Sequence, residues 1–250
     1  MRKLLHPLLA GFLLSVPGLL PAAELTVSAA ASLTGVLRDI AGDYEAQHAG
    51  TRVLLNFGGS GALLQQIAKG APVDVFASAD QETMDQAARR GLIEPASRRD
   101  FAQNTLVLVV PATNASSLQR LDDLAAPDVE RIALGNPASV PVGRYAMRAL
   151  EAAGLGRAVH DRIIYTQSVR QALDYVARGE VTAGFVYATD VRAMPKRVKV
   201  VFPVTLDVPI LYPVARTRDS AHAAEAQRFI EYLMSPAGQA TLARHGFHQP

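Results

Sequence analysis

The sequence predicts an α/β protein of two lobes, each a mainly parallel sheet flanked by helices. Three observations carry this. From Glu24 onward, short apolar runs alternate with longer segments whose apolar residues recur at helical spacing. Such alternation favours parallel strands covered on both faces. After the apolar run Thr105 to Pro111 a second strand and helix series begins, and two helical segments close the chain. The division read from this is a leader at 1-23, a first lobe at 24-105 and 208-250, and a second lobe at 106-207.

The leader has Arg2 and Lys3 at its start, a short apolar core from Leu8 to Val16, and Pro21-Ala22-Ala23 at its end. This is the pattern of a secretory signal, with cleavage expected after Ala23. His6, Pro7 and Pro17 interrupt a run too short to span a membrane. In the first lobe, Leu25 to Ala29, Thr51 to Phe57 and Val73 to Ser78 read as strands. Between them lie helices over Leu33 to Gln47 and Leu63 to Lys69, the latter closed by Gly70. Asp80 caps a helix running to Arg90.

In the second lobe, Leu118 to Leu124 reads as a short helix and Arg131 to Gly135 as a strand. A turn-rich loop through Gly143 then leads to a helix from Arg144 to Ala153. Arg162 to Tyr165 and Val181 to Tyr187 are strands, separated by a helix that opens at Gln167-Ser168-Val169. Val198 to Phe202 and Ile210 to Ala215 follow as strands. The second contains Pro213 and follows Pro209, which fits an edge strand or a crossing between lobes. Helices from His222 to Met234 and Pro236 to His245 end the chain.

Composition excludes several function classes. With no cysteine among 250 residues there is no disulfide, thiolate metal site or cysteine nucleophile. A lipidated-cysteine anchor is likewise not expected. Loss of the leader removes Arg2 and Lys3 and leaves equal numbers of basic and acidic residues. No basic field for nucleic acid or an anionic membrane is therefore expected. A bound anion would have to be held by local dipoles.

Two strand–serine–helix corners supply such dipoles, at Ala31-Ser32-Leu33 and at Gly58-Gly59-Ser60-Gly61-Ala62. A helix start offers unpaired N–H donors and a partial positive charge. Ser32 and Ser60 are each placed to cap a helix, and capping alone would explain either one. Together, with glycines that let other groups approach the backbone, they point to one anion held by two helix starts. The loop Val140-Pro141-Val142-Gly143 and the turn Gln167-Ser168-Val169 add two more helix starts. Tyr187 ends a strand at its carboxyl edge, where open α/β sheets place ligands. Arg144 is the one cation beside a candidate helix start, and it is not assigned to the site. The Ser60 loop also imitates a nucleophile elbow. Neither His245 nor His248 makes a metal site without a third ligand.

The segments TVSAAASLTGVLRDIA, FGGSGALLQQIAKGAPVDVFASAD, GNPASVPVGRYAMRAL, SVRQALDYVARGEVTAGFVYATD and YPVA resemble the periplasmic molybdate-binding proteins of molybdate ABC transporters. The resemblance runs in order along nearly the whole chain after the leader. It implies a type II periplasmic-binding-protein fold with a ligand cleft between the lobes, no enzymatic activity and a periplasmic location. It implies molybdate or tungstate as ligand, with no cofactor, and molybdenum present only within the bound oxyanion. The partners implied are a membrane permease and its cytoplasmic ATPase, and a monomer is expected by analogy. The family's site positions fall on Ser32, Ser60, Val142, Val169 and Tyr187. Two departures stand out: the second loop is richer in glycine than in serine, and Val142 stands where alanine is frequent.

A cage made only of donors cannot read the proton of hydrogen phosphate, so it favours fully deprotonated oxyanions. Sulfate, or another small oxyanion, is the alternative ligand. A ferric-iron binder of the same fold would want an adjacent tyrosine pair, which this sequence lacks. From another class, a secreted serine hydrolase built on Ser60 would need an acid and a histidine nearby.

Overall fold

The computed structural model describes residues 23–114 and 118–250. The expected leader lies outside the described residues except for Ala23, which opens the first strand.

Two five-stranded sheets organise the chain. The first contains β1 (Ala23–Ala30), β2 (Thr51–Gly58), β3 (Val75–Ala77), β4 (Arg99–Asn104) and β10 (Ile210–Arg216), in the order β2-β1-β3-β10-β4. The second contains β5 (Leu106–Pro111), β6 (Ile132–Gly135), β7 (Ile163–Thr166), β8 (Ala183–Tyr187) and β9 (Val198–Pro203), in the order β7-β6-β8-β5-β9. The chain passes between them at Asn104 to Leu106 and again at Pro203 to Ile210. Each sheet is mixed, not mainly parallel. β1 runs parallel to β2 and β3, but β10 is antiparallel to both β3 and β4. In the second sheet β6 is parallel to β7 and β8, while β5 is antiparallel to β8 and β9. The reversed strands, β10 and β5, are those that begin just after a crossing. They enter their sheets from the other half and not through a helix, so the right-handed strand–helix–strand rule does not set their direction.

β1 shows why the first half folds around its centre. Leu25, Val27 and Ala29 on one face are fully buried, and Ser28 on the other is as well. A strand covered on both faces belongs between two helical layers. Helices α1 (Thr34–Gln47), α2 (Ser60–Ala68) and α3 (Gln81–Arg89) follow β1, β2 and β3 in turn. The second half carries α4 (Pro141–Ala152), α5 (Gly156–Val159), α6 (Val169–Ala177) and α7 (Ala188–Val191), and α8 (Ala223–Met234) and α9 (Pro236–Arg244) close the chain. Gly70 and Gly91 adopt φ of 87° and 65° just past α2 and α3, the left-handed geometry that ends a helix cheaply only at glycine. Asp80 caps α3, accepting from the Thr83 N–H.

Several elements differ from expectation. α2 and α4 each start three residues earlier than the apolar spacing indicates, at Ser60 and Pro141. Pro141 sits at the first position of its helix, where its fixed φ and missing N–H cost nothing. The segment at Leu118 to Leu124 forms only a 3-10 turn, Leu121–Ala125. β10 lies inside its sheet and not at an edge. Pro213 is accommodated because the register with β4 slips between Tyr212 and Pro213.

Candidate functional site

Neither serine caps its helix. Gly59 is the N-cap of α2, with no side-chain cap, and Ser60 is the first helical residue. Ser60 Oγ instead accepts from the Ala79 N–H at 3.1 Å. Ser32 sits inside a 3-10 turn, Ala31–Leu33, that leads into α1, and its Oγ lies 3.0 Å from Tyr212 Oη. The capping explanation, sufficient from sequence, therefore fails for both. Ser168 is a true cap, accepting from the Gln171 N–H at 3.2 Å, and it presents Val169 as the first residue of α6.

One cavity gathers all five residues singled out above. Ser32, Ser60, Val142, Val169 and Tyr187 line it, together with the Gly58–Gly59 turn, Ala79 and the Val140–Pro141 corner. It is small, with about 10 Å³ open to the centre of a water-sized sphere. Every one of the five is buried. No charged residue is among the described residues lining it. The backbone N–H groups of Ser60, Val142 and Val169 lie in the first turns of α2, α4 and α6, where intrahelical acceptors are lacking. None of the three finds another acceptor among the described residues.

Tyr187 supplies the most telling atom. Its hydroxyl is fully buried and has no hydrogen-bond partner among the described residues. Burial pushes its pKa well above the usual tyrosine value, with the neighbouring Tyr212 adding to the shift, so the group remains a donor. An unsatisfied buried hydroxyl costs about 1–3 kcal/mol, which marks a position shaped for something else. Just behind it, Asp190 accepts from the Tyr187 N–H at 3.1 Å and faces Arg170 at 3.5 Å. Desolvation raises the Asp190 pKa to about 6, with Arg170 opposing the rise. The folded protein thus holds this proton more tightly than the unfolded chain, and the carboxylate weakens the fold as pH rises from about 4 through 6.

The cavity is closed by direct contact between the two halves. Gly61 N–H donates to Ser139 O at 2.9 Å. A Cβ at Gly61 would come within 2.8 Å of Ser139 Cα and O, and one at Gly59 within 2.8 Å of Gln167 O. Gly59 and Gly61 therefore serve the approach of the opposite half. Arg144, which the sequence does not assign to the site and which does not line the cavity, acts as a clamp between the halves. From α4 it reaches Asp80 Oδ2 through Nε at 2.8 Å, Thr83 Oγ1 at 2.7 Å and Pro137 O at 2.7 Å. Its side chain is mostly buried and that of Asp80 almost wholly so. Sequence reasoning missed the pair because the partners stand 64 residues apart, and nothing local marks either one as more than a cap or a helix-start cation.

The architecture suits the enclosure of a small ligand. Ser60 Oγ meets only a backbone N–H, and no histidine lines the cavity. Among the described residues there is no group of three or more metal-ligating side chains. Residues 25–248 match the family of bacterial extracellular solute-binding proteins. The chain belongs to this family. As a solute-binding protein it is 39% identical to a putative ABC transporter substrate-binding lipoprotein, YvgL, of Bacillus subtilis, over 89% of this chain and 85% of that one. It is 34% identical to the molybdate-binding protein ModA of Haemophilus influenzae over 90% of each chain. Among solved structures, the periplasmic molybdate-binding protein of Azotobacter vinelandii superposes with a TM-score of 0.80 at 27% identity, covering 90% of this chain and 99% of that one. The solute-binding protein thus has the type II periplasmic-binding-protein fold and the role of an ABC transporter's substrate-binding subunit.

Proposed function

We propose that this protein captures molybdate or tungstate in the periplasm and delivers it to an ABC permease driven by a cytoplasmic ATPase. The observation that carries the reading is the orphaned hydroxyl of Tyr187, a residue that lines the cavity together with Ser32, Ser60 and the helix-start residues Val142 and Val169. Ser32 and Ser60 donate O–H, Val142 and Val169 donate N–H, and Tyr187 completes the shell. Hydrogen bonds to a charged group are the strong class, and three helix starts add favourable dipoles without any cation. The similarity to molybdate-binding proteins supports molybdate as the specific oxyanion. In this reading residues 24–105 with 208–250 and residues 106–207 are lobes that close on the ligand, hinging at the two crossings. The protein acts as a monomer after losing its leader.

Calorimetric titration with molybdate, tungstate, sulfate and hydrogen phosphate tests the reading. One-to-one binding of molybdate and tungstate, with sulfate much weaker, is the expected result. Sulfate is alike in charge and shape, so only reach separates it: a smaller anion leaves donors unmet, at about 1–3 kcal/mol each. Tight sulfate binding would transfer the assignment to that anion, and silence toward all four would remove the oxyanion reading.

Tyr187→Phe separates a ligand role from a structural one. Loss of one charge-assisted bond is expected to weaken molybdate binding by roughly 10- to 150-fold. The ligand-free variant is expected to melt no lower than the parent, because the hydroxyl removed has no partner there. A lower melting temperature with unchanged affinity would place the hydroxyl in the core instead.

A further inference from the structure

Ser32 can serve an oxyanion as a donor only if its hydrogen points into the cavity. The 3.0 Å contact between Ser32 Oγ and Tyr212 Oη does not fix this, since either hydroxyl can donate. Their surroundings do. The Thr105 N–H donates to Asn104 Oδ1 at 2.9 Å, which turns the other end of that carboxamide toward the hydroxyls. Asn104 Nδ2 then donates to Thr189 Oγ1 at 2.8 Å and to Tyr212 Oη at 3.2 Å. Tyr212 is wholly buried, and burial holds its hydroxyl protonated. Having received a hydrogen from Asn104, Tyr212 has one acceptor for its own among the described residues, Ser32 Oγ. Ser32 therefore accepts from behind and is left to donate forward.

We propose that Asn104, acting through Tyr212, is a positioning residue that makes Ser32 an obligate donor. This deepens the oxyanion reading and rests on it. Ser60 is set the same way by the backbone N–H of Ala79, which no substitution can reverse. Ser32 is set by side chains, so its polarity is open to change. The preference for fully deprotonated anions would then be written partly at the crossing between the halves, where Asn104 ends β4, and not only in the cavity wall. A carboxylate at this position accepts from Tyr212. The tyrosine oxygen then accepts from Ser32, and the serine shows its lone pairs to the anion.

A double-mutant cycle tests the relay. Molybdate affinity is measured calorimetrically for the parent, Asn104→Asp, Ser32→Ala and the double variant, with melting curves for each. Asn104→Asp is expected to cost roughly 30-fold or more in affinity when Ser32 is present, and less than about threefold in the Ser32→Ala background. Simple charge repulsion or a loosened hinge would impose the same penalty in both backgrounds, and equal penalties would overturn the proposal. Should Asn104→Asp fail to fold, the same cycle with Tyr212→Phe decides. Its expected loss, about fivefold, should vanish when Ser32 is alanine, and a loss that persists there would overturn the relay. A parent protein that binds none of the oxyanions would instead defeat the functional reading. A parent that binds, with uncoupled variants, defeats the relay alone.

Discussion

Gly61→Val is expected to lower molybdate affinity by about a hundredfold or more while leaving the protein folded. The two effects separate because the clash lies across the cavity. Gly61 is in the first turn of α2 and does not adopt a positive φ, so its own half accepts a side chain without backbone strain. The first atom of that side chain would meet the Ser139 backbone of the other half at 2.8 Å. Backbone cannot swing aside as a flexible side chain does. The halves must stay apart, the Gly61 N–H loses Ser139 O, and the donors contributed by α4 and α6 stop short of the anion. Calorimetry with a melting curve checks both parts. Parent-like affinity would show that the contact seen here is not made in the ligand-bound form.

Arg144→Met is the second large effect. It is expected to weaken binding by roughly 30- to 150-fold. Removing one member of a buried ion pair costs about 3–5 kcal/mol because the other charge stays in a poor environment. The Arg144 side chain keeps some contact with water, so the lower part of that range, or somewhat less, applies. The penalty falls on the closed arrangement alone, since separation of the halves returns the Asp80 carboxylate to solvent. α3 should survive, because Asp80 still accepts from the Thr83 N–H. Adding Asp80→Asn to Arg144→Met should recover part of the loss, as asparagine also caps but carries no charge. Affinity equal to the parent in Arg144→Met, by the same titration, would show the clamp to be incidental.

Much of this architecture was legible in the chain because it is written in local periodicity. The strands of both sheets are compact apolar runs, and the helices between them carry apolar residues at three- and four-residue spacing. β4 was not legible: Arg99-Asp100-Phe101-Ala102-Gln103-Asn104 buries only part of its length and pairs with a strand more than 100 residues later. The same limit hid Arg144 and Asp80, and it hid Asn104 and Tyr212. Each of these acts through a partner supplied by the fold. The five cavity residues could be named early because a strand end or helix start is itself a local signal, sharpened by the family resemblance. Their hydrogen-bond roles could not. Whether Ser60 caps its helix or receives Ala79 is settled by three residues of helix length and by the neighbouring strand.

The division of the cavity between the halves also governs time. Ser32 and Ser60 come from one half, and Val142, Val169 and Tyr187 from the other. On the proposed reading, an anion held in so small a cavity is enclosed by both halves at once. It would then leave when the halves part, and its residence time would be the waiting time for opening. Two anions that fit unequally would differ by how strongly each favours the shut state, not by how fast each slips past the wall. A transporter receiving the cargo then has no need to outcompete the donors one at a time. On this reading it would have only to hold the halves open, whereupon the shell of donors would be divided between them.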